Sequence, residues 1–459
     1  MAQKSSPKIT LFTSAASSFI TTFLASAVTV SLPAIGNSFS LNTIELGWII
    51  SSYLLASAIA VVPIGKLSDV YGLKFFFSCG GWTLTISSLF CALAPMPWFL
   101  IIGRVGQGIG AAAISSTSIA ILSRTFSAEK QGKYLGLNVS AIYMGLTTGP
   151  FFGGFITQHF GWRSLFYLTI PFGLLITLLI QYGISKLPPL SNKSRLDIFA
   201  SVIFGAGLTF LLYGLSVKPG VIALVLLCTS AVCFVIFTKR ELTSSNPILG
   251  ITLLKHVGFA FSNLAALINY CATFAVTYTL TIYLQSVKNY SPQDCGLILM
   301  SQPIMMALLS PLAGKLSDYR QPRIIASAGM LLCSIALLIL SFLTVNSSAF
   351  HVITGLVILG IGCALFSAPN TSAVMKSVPK TNLGIASAFI ATMRIVGQML
   401  SIAIAMLVFS AFSSGQPVNK VDTSGLTRGL HLFFLFSSAL CCTGIWVSFA
   451  RGKISSSAH

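Results

Sequence analysis

The chain has 459 residues, of which 55% are hydrophobic and only 8% are charged. A soluble domain carries roughly 25% charged residues, so this composition excludes a soluble enzyme, a disordered chain and a secreted disulfide-stabilised protein, and the mean hydropathy of +0.89 agrees. The net charge of +19 would suggest nucleic acid in a soluble protein. Here the basic residues lie in short connections between apolar runs, so no nucleic-acid partner is expected.

Fourteen apolar runs follow one another along the chain, and each is long enough to cross a bilayer as a helix, which takes about 20 residues. Helices are expected because lipid offers the backbone no partners outside a helix or a closed barrel, and the alternation of barrel strands is absent. The sequence therefore predicts an all-α integral membrane protein with 14 transmembrane helices, whose first run is too long for a signal-peptide core. The runs lie at about residues 10–32, 46–65, 75–95, 98–122, 134–157, 163–185, 197–216, 220–238, 258–285, 293–314, 324–344, 350–372, 383–411 and 429–450.

The basic residues are unevenly distributed between the two sides that these spans define. An even number of spans places both termini on one side, and 20 Lys and Arg residues fall on that side against five on the other. Positive residues are retained on the cytoplasmic side, so we predict a multi-pass protein of the cell (cytoplasmic) membrane with both termini in the cytoplasm. The five residues on the outer side are Arg163, Lys218, Lys288, Lys420 and Arg428.

Titratable groups are scarce inside the spans. All eight acidic residues and all five histidines fall in loops or at span ends, whereas Arg104 and Arg394 lie within spans. The sequence contains no acid–base pair, nucleophile constellation, metal-ligand spacing or GxxxxGK[ST] nucleotide-binding motif. Its ten cysteines include no CxxC pair and are expected to be small buried hydrophobes. We therefore expect no enzyme activity, no metal and no cofactor.

The chain contains an internal repeat. Residues 65–74 read GKLSDVYGLK and residues 314–323 read GKLSDYRQPR, and both stretches follow an even-numbered span on the cytoplasmic side. The repeat predicts two six-helix bundles that rock against each other around a midplane site. The predicted units are an N-terminal bundle at 1–187, a linker with two additional central spans at 188–255 and a C-terminal bundle at 256–459.

These loops and the span count resemble the major facilitator superfamily, in particular its fourteen-span drug:proton antiporter branch, over essentially the whole chain. Glycines permit a tight turn between two helices. The resemblance implies that the loops latch one half of the protein to the other and gate the opening to the cytoplasm. The gating residues that it implies are Gly65, Asp69, Gly72, Lys74, Gly314, Asp318 and Arg323.

Two further motifs carry the same resemblance. The stretch LIIGRVGQGIGAAA at 100–113 is similar to the family's second motif, whose arginine, here Arg104, is assigned to proton transfer or its electrostatics. Span 5 resembles the antiporter motif, which implies export rather than uptake. Its glycines let helices approach closely and its proline bends the helix. The motif comprises Gly145, Gly149, Pro150, Gly153 and Gly154.

Span 1 departs from the branch, because Leu24 stands where an aspartate is usual. Exchange for protons, driven by the proton gradient, is implied by the resemblance but lacks the intramembrane Asp, Glu or His that normally binds the proton. Asp294 and Glu45, at the outer ends of spans, would serve only if a cavity reaches them. Arg104 and Arg394 have no acidic counter-ion, which predicts a midplane that favours neutral, zwitterionic or anionic ligands over cations.

Polar residues on apolar spans are candidates for a binding surface. Asn263, Tyr270 and Thr277 recur every seven residues in span 9 and so share one helix face. The alternative for each candidate is a hydrogen bond between helices, worth about 0.6 kcal/mol on average. The candidate cavity residues are Arg104, Arg394, Tyr53, Asn138, Tyr143, Asn263, Tyr270, Thr277, Gln302 and Asn370.

Two functions fit these features. The first is an exporter of amphipathic drugs or toxic metabolites, of the multidrug-resistance type, which works by alternating access and exchanges its substrate for protons. The second is a facilitator or symporter of a small organic anion without proton antiport. The antiporter motif favours the first, whereas Leu24 and the two buried arginines favour the second. The exporter would act on a small amphipathic substrate, and either transporter is expected to be a monomer in the lipid bilayer. A sensor that binds its ligand without transport is a further alternative.

Overall fold

A computed structural model describes residues 7–126, 128–184, 197–217, 220–244, 247–379, 383–413, 416 and 422–452. Within these residues, 14 helical segments are long and apolar enough to cross a membrane, which confirms the predicted spans. Two spans are broken, so that 16 α-helices are present in the described ranges. The helices are α1 (Pro7–Phe39), α2 (Thr43–Tyr71), α3 (Leu73–Ala92), α4 (Pro97–Thr125), α5 (Ala128–Phe160), α6 (Arg163–Gly183), α7 (Ile198–Ser216), α8 (Val221–Thr243), α9 (Val257–Thr273), α10 (Val276–Ile282), α11 (Pro292–Leu299), α12 (Ser301–Tyr319), α13 (Pro322–Ser341), α14 (Ala349–Lys376), α15 (Leu383–Ser413) and α16 (Thr423–Ala450).

The ninth span is broken in the middle, which the apolar pattern did not predict. It consists of α9, α10 and a π-helical turn at Tyr283–Val287. At the break, the Ala275 N–H donates to Ser401 Oγ of α15 at 2.9 Å. A side chain that inserts into the backbone ladder of a helix is an ordinary cause of such a break. The tenth span is likewise divided, between α11 and α12.

The helices form two six-span bundles. In the first, α1 packs against α5 and α6, and α4 packs against α2 and α3. In the second, α14 packs against α12 and α13, and α9 packs against α15 and α16. Small residues permit the closest approaches: a Cβ added at Gly153 would lie 2.7 Å from the Ala27 Cα across the α1–α5 interface.

The additional pair, α7 and α8, packs together, and α7 contacts both α2 and α15. It therefore lies beside the junction of the two bundles. The predicted boundary between 187 and 188 lies outside the described residues. The predicted boundary between 255 and 256 falls at the end of a short 3₁₀ helix, Ile251–Lys255.

The segment between α8 and α9 is fastened by a buried carboxylate. Glu241, which is 2% exposed, accepts hydrogen bonds from the Ile248, Leu249 and Gly250 N–H groups at 2.5, 3.0 and 3.2 Å. The Lys66 ammonium of α2 donates to the Pro247 carbonyl at 2.5 Å. The additional helices are thus connected to the first copy of the repeated loop.

The two bundles are held together at one end. Because the spans number 14, α1 begins and α16 ends on the same side, called here the terminus side; the other is the far side. The Gln285 amide donates to the Val30 carbonyl at 2.8 Å, and Tyr278 Oη donates to the Thr43 carbonyl at 2.8 Å. The Gln293 N–H donates to Gln158 Oε1 at 3.2 Å. These contacts close the far side between the bundles.

Candidate substrate cavity

A cavity of about 400 Å³ lies between the two bundles, within the size range of small-molecule sites. Helices α1, α2, α4 and α5 line one wall, and α9 to α12, α14 and α15 line the other. Six of the sequence-predicted candidates line it. They are Tyr53, Tyr143, Tyr270, Thr277, Gln302 and Arg394.

The wall from the first bundle is rich in hydroxyl groups. Most of their hydrogens are already used: Thr21 and Thr22 donate to carbonyls of their own helix, and Ser26 donates to the Leu146 carbonyl. Such oxygens can still accept a hydrogen bond from a ligand. The polar run TSAASSFITT in α1 is the sequence signal that could have identified this wall. The hydroxyl residues are Ser18, Thr21, Thr22, Ser26, Thr29, Ser57 and Ser115.

The wall from the second bundle carries the charge. Arg394 is exposed to the cavity, and no hydrogen bond or ion pair to it is found among the described residues. Tyr270 interacts electrostatically with Arg394 and with Tyr143 across the junction of the bundles. Its hydroxyl lies 3.4 Å from Ser367 Oγ. The cavity thus places a guanidinium beside two tyrosines from opposite bundles.

Two amides of this wall were not among the candidates. Gln398 follows Arg394 by one helical turn, and Asn269 precedes Tyr270. The i, i+4 spacing from Arg394 was the available signal for Gln398. With Gln302, these side chains supply neutral donors and acceptors around the guanidinium.

No Asp, Glu or His is among the described residues that line the cavity. The Glu45 carboxylate instead accepts from the Asn42 N–H at 2.9 Å, where it caps α2. Asp294 accepts from Ser291 Oγ at 2.6 Å at the start of α11. The cavity does not reach either acid, so its ionised lining group is Arg394.

Arg104 was expected in the cavity, but it lies behind the lining residues and is 1% exposed. Its Nε donates to the Ile49 carbonyl at 3.0 Å and its Nη1 donates to Gln107 Oε1 at 2.9 Å. The guanidinium carbon lies 4.5 Å from the centre of the Tyr53 ring, which does line the cavity. The Ile49 carbonyl and the Gln107 amide accept hydrogen bonds from the guanidinium, and the Tyr53 ring makes a cation–π contact with it. These interactions stabilise the buried charge without an acidic residue and hold it away from the cavity surface.

Three asparagine candidates also lie outside the cavity lining. Asn138 Oδ1 accepts from Ser18 Oγ at 3.0 Å, and Asn263 Nδ2 donates to the Phe259 carbonyl of its own helix at 2.9 Å. Asn370 donates to the Ser262 carbonyl at 3.1 Å. Each amide thus makes the hydrogen bond to neighbouring helix atoms that is the alternative to substrate contact, although Asn263 Oδ1 is buried without a partner among the described residues.

Asn370 belongs to a polar cluster at the terminus side. Its Oδ1 accepts from Arg451 Nη1 at 2.9 Å, and Arg451 Nε donates to the Ser448 carbonyl at 2.7 Å. Burial lowers the pKa of Arg451 to about 10. The cluster ties the end of α16 to α14 and is separate from the cavity.

The repeated loops lie at the terminus side. Gly72 has φ +109°, a conformation that side chains rarely adopt, and it separates α2 from α3. Lys74 Nζ donates to the Gln181 carbonyl at 2.7 Å, and Arg124 at the end of α4 acts electrostatically on Asp69. A Cβ at Gly65 would meet only Ser116, at 3.9 Å. The first loop therefore contacts α4, α6 and, through Lys66, the α8–α9 segment.

The second loop copy is more open. A Cβ at Gly314 would have nothing within 4 Å. Arg323 Nε donates to Gln321 Oε1 at 2.7 Å, and its guanidinium lies 5.3 Å from the centre of the Phe449 ring. The backbone of Asp318 lies in α12, but its side chain is outside the described part of the structure.

The span 5 motif faces both bundles. A Cβ at Gly145 would lie 2.3 Å from Thr22 Oγ1 of α1, and a Cβ at Gly149 would lie 2.7 Å from Ser26 Cβ of the same helix. A Cβ at Gly154 would lie 2.2 Å from the Pro292 carbonyl oxygen of α11, in the other bundle. Pro150 lines the cavity. The motif thus packs α5 against its own bundle and against the closed far side.

Comparison with known proteins identifies the family. The model of the Major Facilitator Superfamily matches residues 14–262 and 262–456. The riboflavin transporter RibZ of Clostridioides difficile is 31% identical over 435 residues, 93% of each chain. The multidrug resistance protein Stp of Mycobacterium tuberculosis is 32% identical over 84% of this chain and 73% of its own. The cephamycin export protein CmcT of Amycolatopsis lactamdurans is 27% identical over 92% of this chain and 89% of its own.

Solved structures agree on the fold. A bacterial homologue of the lysosomal transporter Spinster, in an inward-facing and unoccupied conformation, superposes with a TM-score of 0.69 at 17% identity, covering 98% of this chain and 97% of that one. A D-xylose–proton symporter gives a TM-score of 0.67 at 14% identity, with 94% and 97% coverage. With its 14 spans, two bundles and matched family model, the chain belongs to the Major Facilitator Superfamily and is a membrane transporter, not an enzyme.

Proposed function

We propose that this transporter exports small amphipathic molecules from the cytoplasm by alternating access. The observation that carries the proposal is a cavity lined by both bundles and closed between them at the far side. The excess of Lys and Arg on the terminus side supports a cytoplasmic location for the termini. The cavity then receives its substrate from the cytoplasm. Relatives named for multidrug resistance and cephamycin export support the outward direction.

The transport cycle follows from the contacts between the bundles. Opening to the outside requires the bundles to rock, which breaks the bonds from Tyr278 to Thr43, from Gln285 to Val30 and from Gln293 to Gln158. The units 1–187 and 256–459 are the rocking bodies, and the two repeated loops close the terminus side. A single chain supplies both walls of the cavity, which supports a monomer as the transporting unit.

Exchange for protons is the finer part of the exporter proposal. It requires a group that binds a proton from one side and releases it to the other. The described cavity lining lacks Asp, Glu and His, so the proton would have to bind outside the described lining, for example at Asp69 in the first repeated loop, or be carried by the substrate. The same observation favours the second candidate function, a facilitator of a small organic anion that uses no proton.

Flux measurements on purified protein in liposomes separate these functions. A lipophilic cation, a neutral drug and an organic anion are each followed with a pH gradient imposed and without one. Proton antiport predicts accumulation of the substrate against its own concentration gradient only when the pH gradient is imposed, whereas the facilitator predicts equilibration in both conditions. Absence of flux for the whole panel, with protein confirmed in the membrane, would contradict the transport proposal for these substrate classes.

A further inference from the structure

We propose that the preferred substrates are oxygen-rich aromatic anions and that Arg394 binds their anionic group directly. This inference rests on the proposed transport cavity and specifies its substrate class. The first support is electrostatic. Arg394 is exposed to the cavity, and the described lining contains no carboxylate to neutralise it. A planar guanidinium matches a carboxylate or similar oxyanion with two parallel hydrogen bonds.

A second positive charge lies behind the opposite wall. Arg104 is buried without an acidic partner among the described residues, and its guanidinium lies against the ring of Tyr53, a residue that lines the cavity. A cationic substrate would therefore enter a site of low dielectric constant between two guanidinium groups. Repulsion there is stronger than in water, so the potential selects against cations and for anions.

Aromatic residues from both bundles line the cavity. Tyr53 and Tyr143 belong to the first bundle, and Tyr270, Phe274 and Tyr278 to the second. Tyr270 is electrostatically close to both Tyr143 and Arg394. A planar ring placed there packs against aromatic faces, which prefer offset or edge-on contacts with other rings. The apolar part of the substrate is thus expected to be aromatic.

The hydroxyl wall favours oxygen-rich ligands. The hydroxyls of Thr21, Thr22 and Ser26 already donate to the protein and offer their lone pairs. These oxygens can accept hydrogen bonds from hydroxyl groups of a ligand, whereas Arg394 can donate hydrogen bonds to an acceptor on the ligand. One substrate with both features contacts both bundles at once, which links its binding to the relative position of the bundles.

An anionic substrate also removes the need for a titratable carboxylate in the cavity. In a cell with a negative interior, an anion that leaves the cytoplasm moves down the electrical gradient. This drives a concentration ratio of roughly 40-fold per charge for each 100 mV. Export is then powered by the membrane potential, in agreement with Leu24 at the position where the related antiporters usually have an aspartate.

The experiment compares two dyes that share a xanthene ring and carry opposite charge, fluorescein as the anion and rhodamine 123 as the cation. Binding to the purified full-length transporter in detergent is followed by fluorescence polarisation in mildly alkaline buffer. We expect fluorescein to bind more tightly. We expect Arg394→Gln to weaken fluorescein binding about 10- to 100-fold, as for a lost hydrogen bond to a charged group, and Arg394→Lys to weaken it less.

Two further variants complete the test. Arg394→Glu should lose fluorescein and gain rhodamine 123, a reversal that a misfolded protein cannot produce. Arg428→Gln removes an exposed arginine near the beginning of α16, on the far side. It should leave both affinities unchanged. Rhodamine 123 binding as tightly as fluorescein, no binding of either dye, or full fluorescein affinity in Arg394→Gln would overturn the inference. Because binding is measured without transport, the liposome fluxes judge the export proposal separately.

Discussion

The two arginines inside the spans have different environments, from which we infer different roles. Arg104 is 1% exposed and donates to a backbone carbonyl and to Gln107. Arg394 is exposed to the cavity, without a described hydrogen-bond partner. Burying a cation is costly unless it is hydrogen-bonded, so Arg104 is held by its surroundings, whereas Arg394 has donors to offer a ligand.

This difference predicts unequal effects on stability. Arg104→Leu leaves the Ile49 carbonyl and Gln107 without their donor and should cost about 1–3 kcal/mol. Arg394→Leu is the matched control and should leave stability nearly unchanged. Thermal unfolding of both variants in the same detergent measures the difference. An equal loss in the two variants would contradict the assignment of a structural role to one arginine and a ligand-binding role to the other.

Gly149 provides a second residue-scale prediction. A Cβ there would lie 2.7 Å from Ser26 Cβ and 3.0 Å from the Phe23 carbonyl oxygen, so Gly149→Leu should force α5 away from α1 at a cost of about 1–3 kcal/mol. A Cβ at Gly136, in the same helix, would have no heavy atom within 4 Å, so Gly136→Leu serves as the control. Liposome flux and unfolding temperature should both fall for Gly149→Leu only. Unchanged flux would remove the packing argument for this motif.

At the scale of elements, the additional helices α7 and α8 are coupled to the repeated loop by a short segment. Glu241 fastens residues 248–250 through three backbone N–H groups, and Lys66 holds the Pro247 carbonyl. Glu241 also acts electrostatically on Lys66. The segment therefore connects α8 to α2, the helix that ends at the first copy of the repeated loop.

Removing this carboxylate should release the segment. Glu241→Ala leaves three buried donors without their acceptor and should cost more than about 1.5 kcal/mol, with faster proteolysis between α8 and α9. Glu45→Ala removes one exposed hydrogen bond, which the Glu45 carboxylate accepts from the Asn42 N–H. The loss should lower the free energy of unfolding by at most about 1 kcal/mol. Limited proteolysis with mapped cleavage sites and thermal unfolding measure both. Equal protection of the α8–α9 segment in the two variants would contradict the fastening role.

The helices also show which features of the fold and of the cavity could be predicted from the sequence. The 14 spans follow from apolar length alone, because lipid leaves the backbone little choice. The break between α9 and α10 does not, because it depends on Ser401, a residue of α15 that is distant in sequence from Ala275. Arg104 and Arg394 look alike in sequence, and only the packing of Tyr53 and Gln107 separates them. Local patterns thus predicted the elements, whereas contacts between distant helices decided the cavity.

For the molecule as a whole, the proposed transport depends on the two bundles rocking against each other around the cavity. The far side is closed by hydrogen bonds from α10, the π-helical turn and α11 to the first bundle, including the contact of Gln293 with Gln158. The cavity walls come from both bundles. Transport in this arrangement requires the far-side contacts to separate once in every cycle.

The most direct measurement is a reversible cross-link across these contacts. In Gln158→Cys/Gln293→Cys protein, a short disulfide-containing linker joins the two thiols, and substrate flux in liposomes is compared before linking, after linking and after reduction. The single variants control for reaction at the ten native cysteines. Linking is expected to abolish flux and reduction to restore it, while fluorescein still binds the linked protein in detergent. Full flux through the linked protein would contradict alternating access through this cavity.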